Sequence, residues 1–93
     1  MQQLNRNAVS QKLATLPDWS LAGEEIVRNY TFPDFIAAMR FVDRVAELAE
    51  RAAHHPDIDI RYNRVRLALV THDAGGLTEL DFQLAAECDA LLG

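Results

Sequence analysis

The chain has 93 residues, 49% of them hydrophobic and 25% charged, with a formal net charge of −5. That length bounds it to one domain, 1–93, of ordinary globular composition and so small that self-association is a natural way to bury more apolar surface. The acidic balance argues against a phosphate-backbone binder, which needs clustered Lys and Arg, and with no apolar run long enough to span a bilayer, no apolar signal core in Met1–Asn7 and a single cysteine, Cys88, a soluble cytoplasmic protein is expected.

Val9, Leu13 and Leu16 fall at helical spacing, so a first helix is predicted over roughly Asn5 to Leu16, with Asn5 or Asn7 as cap and Pro17 as its stop. A hairpin follows. Trp19 and Leu21 alternate with polar or small residues, Gly23-Glu24 offers the turn, and Ile26 to Phe32 is rich in strand-favouring types interrupted by Arg28. Pro33 and Asp34 then suit the start of a long helix. Phe35, Met39, Val42, Ala46, Ala49 and Ala53 form its predicted apolar stripe, widened by Ile36 and Val45. The helix must end before Pro56.

A second hairpin is predicted with Asn63-Arg64 as a two-residue turn, because Asn tolerates the left-handed region. Tyr62 then lies opposite Val65, Ile60 opposite Leu67 and Ile58 opposite Leu69. Extending that ladder brings Pro56 opposite Thr71 and His55 opposite His72. A last helix begins near Thr78, with Leu80, Leu84, Cys88 and Leu91 as its stripe and Thr78-x-x-Asp81 at capping-box spacing. The order α-β-β-α-β-β-α is an α+β class fold, with two hairpins in one four-stranded antiparallel sheet and three helices on one face.

All three histidines lie in two segments, Glu50-Arg51-Ala52-Ala53-His54-His55-Pro56 and Thr71-His72-Asp73-Ala74-Gly75-Gly76. The predicted register gathers them at one end of the sheet. Imidazole gives and takes protons near neutral pH, so the arrangement suits acid–base chemistry on a small polar substrate. Glu50, one helical turn before His54, is placed to orient an imidazole. Gly75-Gly76 lets the chain after His72 turn sharply. Asp81 serves as a helix cap, as a support for the site, or as both. The duller alternative is three surface histidines with ordinary hydrogen bonds. A zinc site is a weaker alternative, because adjacent His54 and His55 do not easily aim at one ion and no Cys joins them. Trp19 and Tyr62 read as core or interface aromatics, and Cys88 as a small apolar residue. No Ser-His-Asp order, phosphate-cradling glycine loop or basic stripe is visible.

The pattern Glu50-x-x-x-His54-His55-Pro56, Tyr62-Asn63-x-Val65, Thr71-His72-Asp73-x-Gly75-Gly76-Leu77-Thr78 and Asp81 resembles the pterin-4a-carbinolamine dehydratases, and the likeness covers nearly the whole chain. The resemblance implies the same fold, dimers or tetramers, and dehydration of 4a-hydroxytetrahydropterin to quinonoid dihydropterin. That reaction recycles the cofactor spent by aromatic amino acid hydroxylases, with no metal or organic cofactor in the dehydratase itself. It implies His54, His55 and His72 as the catalytic set, Glu50 and Asp81 as supporting acids, and pterin contacts from His54-His55-Pro56 and Thr71-His72-Asp73-Ala74. A hydroxylase or a regulatory protein is an implied partner. The same resemblance carries non-enzymatic alternatives: a dimerisation cofactor for a homeodomain transcription factor, a Rubisco assembly factor, or a module that holds a pterin without turning it over.

Overall fold

The computed structural model describes residues 2–92. Its elements run α1 (Arg6–Leu13), β1 (Ser20–Ala22), β2 (Glu25–Thr31), α2 (Phe35–Ala52), β3 (Asp57–Arg61), β4 (Arg64–Leu69), a 3-10 turn (His72–Ala74) and α3 (Glu79–Ala90). The four strands form one antiparallel sheet in the order β1-β2-β4-β3. Ile26 and Tyr30 of β2 and Val65, Leu67 and Leu69 of β4 point to one face. There they share a single core with Val9 of α1, Ala38, Phe41 and Val45 of α2, and Phe82, Leu84, Ala85 and Cys88 of α3. The helices therefore cover one face only, and the other carries Asn29, Thr31, Asp59, Arg61, Arg64 and Arg66. Among the described residues no helix is long and apolar enough to cross a membrane.

Local chemistry sets the helix starts. The Asn5 side chain accepts from the Ala8 amide at 2.9 Å, and the Asp34 side chain accepts from the Ala37 amide at 2.8 Å. Each satisfies an amide that the first turn leaves without a partner. The first hairpin turns at Gly23-Glu24, with Ala22 paired to Glu25 and Gly23 at φ +64°. Leu21 nevertheless faces solvent while Trp19 is buried. Arg28, the apparent interruption of β2, sits on the helix side and reaches Asp89 of α3 at 2.7 Å.

Two expectations are corrected. Of the expected α2 stripe, Val45 and Ala49 are buried, but their buried companions are Ala38 and Phe41 rather than Phe35, Ala46 and Ala53. Phe35, Ile36, Ala46 and Ala53 are exposed. The two sets are adjacent on the helix, both apolar and each with a phenylalanine; Phe41 is the one that turns inward, joining Tyr30 and Phe32 at ring-centroid distances of 4.5 and 5.0 Å. The second hairpin turns at Tyr62-Asn63, not Asn63-Arg64: Arg61 pairs with Arg64, Ile60 with Val65 and Ile58 with Leu67. Asn63 is held in the turn by two bonds to Phe32, Nδ2 to the carbonyl at 2.8 Å and its own carbonyl to the Phe32 amide at 2.9 Å. Those tertiary bonds outweigh local turn preference and force Tyr62 to φ +54°. The slip is two residues, so every side chain keeps its face. The ladder stops at Asp57 opposite Ala68, and His55 is not opposite His72.

Burial pushes the Cys88 thiol up from 9.0 to about 12, and burial together with a hydrogen bond to the Asp89 carboxylate pushes the Tyr30 phenol up from 10.0. Both shifts favour the neutral form in the folded state, so the unfolded chain ionises first. The stability tied to them is complete below the unfolded values and is lost as pH rises through and beyond them. The melting temperature is expected to fall as pH is raised from about 8 to about 11, and to fall less in Cys88→Ala. Thermal unfolding followed by circular dichroism across that range checks it.

Candidate active site

The end of α2 aims the first histidines. Ala53 takes the left-handed conformation at φ +52°. Its amide bonds the Glu50 carbonyl at 3.2 Å, and the His54 amide bonds the Ala49 carbonyl at 3.1 Å. This Schellman arrangement normally uses glycine. It reverses the chain within two residues, so that His54 turns back toward the start of α3 while His55 and Pro56 lead into the edge strand β3.

A second segment closes on itself. The amide and carbonyl of Thr71 pair with the carbonyl and amide of Gly76 at 3.2 and 3.3 Å, pinching off His72-Asp73-Ala74-Gly75 as one tight turn. Gly75 sits at φ +79°, where only glycine is unstrained. A Cβ on Gly76 would lie 2.6 Å from the Gln3 side-chain nitrogen, because the N-terminal segment lies against this loop and the Leu4 amide bonds the Leu77 carbonyl at 2.8 Å.

Asp81, in the first turn of α3, joins the two segments. It is 0% exposed. Its Oδ2 accepts from the Thr78 amide at 2.9 Å, completing a capping box, and from the Thr71 hydroxyl at 2.8 Å. Its Oδ1 lies 2.5 Å from His54 Nε2. An ionised carboxylate only accepts. Thr71 therefore donates to Asp81, and its oxygen must accept the Thr78 hydroxyl proton across their 2.9 Å contact. The Thr78 oxygen in turn accepts from the Leu80 amide at 3.3 Å. The same logic puts the His54 proton on Nε2 and leaves Nδ1 for other chemistry. The His54 side chain is only 11% exposed.

The other sequence-flagged residues are placed differently. Glu50 partners His55, not His54, with Oε2 2.5 Å from Nε2. Both side chains are mostly in water, at 78% and 63% exposure, so the pair contributes little stability. The Nε2 atoms of the adjacent histidines thus go to different carboxylates. Among the described residues, no three His, Cys, Asp or Glu side chains are grouped to hold a metal ion. His72 and Asp73 are exposed in the tight turn, and Ala74 and Pro56 are half-buried. The hydrogen bonds of the described residues join neither His55 nor His72 to Asp81, but His72 is covalently next to Thr71, which keeps its Cα about 3.8 Å from that of an anchored residue. Thr78 was legible as a cap; its second role, donating a hydrogen bond to the Thr71 hydroxyl, left no mark in the sequence.

A family model described as Pterin 4 alpha carbinolamine dehydratase matches residues 2–91. The chain belongs to that family. A protein of Acidobacterium capsulatum, provisionally named a pterin-4-alpha-carbinolamine dehydratase, is 65% identical over 92 residues, covering 99% of this chain and 100% of its own. One of Chloroflexus aurantiacus, with the same provisional name, is 60% identical over 93 residues and the full length of both. Among solved structures, a transcriptional coactivator/pterin dehydratase from Brucella melitensis superposes with a TM-score of 0.95 at 35% identity, over 99% of this chain and 100% of that one. A pterin dehydratase-like protein identified as a RuBisCO assembly factor of the alpha-carboxysome superposes with a TM-score of 0.66 at 25% identity, over 81% and 87%.

Replacing Asp81 with alanine removes the N3 half of a capping box and strands the Thr71 hydroxyl and the Thr78 amide. The expected loss is about 2–4 kcal/mol, against about 1 kcal/mol for removing the exposed cap in Asp34→Ala. Urea unfolding of the two variants beside the parent chain measures the difference.

Proposed function

We propose that the chain dehydrates 4a-hydroxytetrahydropterin to quinonoid dihydropterin, the elimination step in recycling the cofactor spent by aromatic amino acid hydroxylases. The observation that supports this most directly is the His54–Asp81 pair: a nearly buried imidazole fixed through Nε2 by a carboxylate that is itself fixed by two further donors. On this reading His54 Nδ1 takes the proton from N5 of the pterin. The N–H electrons form the C4a–N5 double bond, the C4a–O bond breaks, and His72 protonates the departing hydroxyl, which leaves as water. His55, partnered by Glu50, positions the pterin, and the ring lies between His54-His55-Pro56 and Thr71-His72-Asp73-Ala74. Side-chain proton transfer is all that the elimination requires.

A correctly placed general acid or base is worth about 10²–10⁴ in rate. His54→Ala and His72→Ala are each expected to slow the elimination by about that factor. Glu50→Gln, which changes an exposed pair, is expected to slow it by less than about tenfold. Stopped-flow loss of freshly generated carbinolamine reads all three. Near-parental rates for both histidine variants would defeat the assignment, and binding of pterin without turnover by the parent chain would defeat the enzymatic reading in favour of a pterin-holding module or a protein-interaction role.

Self-association is part of the same proposal. A 10.4 kDa chain that leaves Phe35 and Ile36 of α2 and Ile58 and Ile60 of the edge strand β3 exposed has apolar surface that a second copy would bury. Sedimentation is expected to give a multiple of the chain mass for the parent and a smaller species for Ile36→Asp. A parent that sediments as a monomer at all concentrations removes this part of the proposal.

A further inference from the structure

We propose that the helix-free face of the sheet, beside the β3–β4 turn, is a second binding site that takes a small oxyanion with two or more negative charges. The strand register builds it. Thr31 pairs with Arg64 and Arg64 with Arg61, making one row across β2, β4 and β3. Asn29 pairs with Arg66 and Arg66 with Asp59, making the next row on the same face. Five of these residues, Asn29, Asp59, Arg61, Arg64 and Arg66, line a cleft of about 250 Å³.

The charges in that grid do not balance. Arg61 Nε reaches Asp59 Oδ1 at 3.4 Å, and the same carboxylate stands opposite Arg66. Within the cleft three guanidinium groups share one carboxylate, a local excess of two positive charges on a chain whose net charge is −5; Asp57 and Glu25, which alternate onto the same face, lie outside the cleft lining. Three of the nine Lys and Arg residues are concentrated here. Arg61 and Arg64 are directly opposed in the pair that closes the hairpin, an arrangement of like charges that weakens a sheet unless something lies between them. Guanidinium forks bind phosphoryl and carboxylate oxygens in pairs, and Asn29 and Thr31 add neutral hydrogen-bonding groups on the same face. The size of the cleft and the acidic remainder of the chain favour a compact dianion or trianion over a nucleic acid, which the net charge repels at longer range.

The site is separate from the histidines. Arg64 to Thr71 is seven residues of extended chain, about 20 Å, and the arginines lie at the turn end of the hairpin whereas His54 and His72 lie at the other end. The inference does not depend on the dehydratase reading.

Isothermal titration of the full chain with pyrophosphate and with citrate, at constant ionic strength set by sodium chloride, tests it. The parent is expected to bind one anion per chain saturably. Arg64→Ala/Arg66→Ala is expected to weaken binding about tenfold or more, and Asp59→Asn, which frees both neighbouring arginines, to strengthen it. Pyrophosphate taken in preference to citrate assigns a phosphoryl ligand, and the reverse assigns a polycarboxylate. Because the arginines are exposed, the variants are expected to fold. Arg64→Thr alone is expected to melt no lower than the parent without ligand, since it relieves the opposed charges, and to lose the rise in melting temperature that the anion produces in the parent. Absent saturable binding by the parent, or equal binding by parent and double variant, overturns the proposal.

Discussion

A fully buried carboxylate is the constraint on which the rest of the arrangement depends. An unpaired charge at the position of Asp81 would cost several kcal/mol in desolvation, so the fold must supply donors, and it draws them from three separate stretches of chain. The Thr78 amide comes from the start of α3, the Thr71 hydroxyl from the end of the β4 segment, and His54 from the reversal after α2. The first turn of a helix is also where backbone amides and the helix dipole favour negative charge. Satisfying Asp81 and assembling the site are therefore the same event. The β3–β4 ladder has ended at Asp57 and Ala68, so it is not the pairing of those two strands that brings His54 to Asp81.

The other end of α3 is tied in the same manner. Asp89 accepts from Trp19 Nε1 at 3.0 Å, from Arg28 Nη1 at 2.7 Å and from the Tyr30 hydroxyl at 2.6 Å. Arg28 also lies 4.3 Å above the Tyr30 ring, and its own Nε is buried without a hydrogen-bond partner. Between the two carboxylates, Phe82, Leu84, Ala85 and Cys88 pack into the core. The helix is thus fixed to β2 at one end and to the histidine segments at the other, with apolar packing between. A displacement of α3 would have to break both polar clusters or bend the helix, and this is what holds His54 in one orientation.

The sequence carried the signals that are local. Asn5, Asp34 and the Thr78-x-x-Asp81 spacing marked helix starts, Gly23-Glu24 marked a turn, and helical and alternating periodicities marked the element order. What it could not carry was settled between elements. Phe41 of α2 turns inward onto Tyr30 and Phe32, not the equally apolar line through Phe35 and Met39. Two bonds from Asn63 to Phe32 moved the hairpin by two residues and removed the expected opposition of His55 and His72. Glu50, expected to serve the His54 side of the turn, faces His55 because Ala53 leaves the helix in a left-handed conformation. Arg61, Arg64 and Arg66 formed no visible stripe because they alternate along two strands and meet only through cross-strand pairing. The histidine cluster was legible as a cluster, but the agent that organises it, a helix cap used three times over, was not.

The two histidine–carboxylate pairs have the same atoms at the same separation, and burial gives them different physical meaning. The His55–Glu50 pair is mostly in water, where screening and side-chain entropy leave such a contact worth about 0–1 kcal/mol. An arriving ligand can rearrange it at little cost. The His54–Asp81 pair is shielded and over-determined, because moving the carboxylate would also uncap α3 and unsatisfy Thr71. Its tautomer and ring orientation are set before any ligand arrives. Precise proton transfer calls for the second kind of pair, and contact with a variable part of a substrate calls for the first. That contrast is why the proposed mechanism gives the N5 proton to His54 and leaves positioning to His55. His72, held near by its neighbour Thr71 rather than by a carboxylate of its own, is then suited to the group that leaves: a side chain open to water can protonate the departing hydroxyl and recover its proton from solvent.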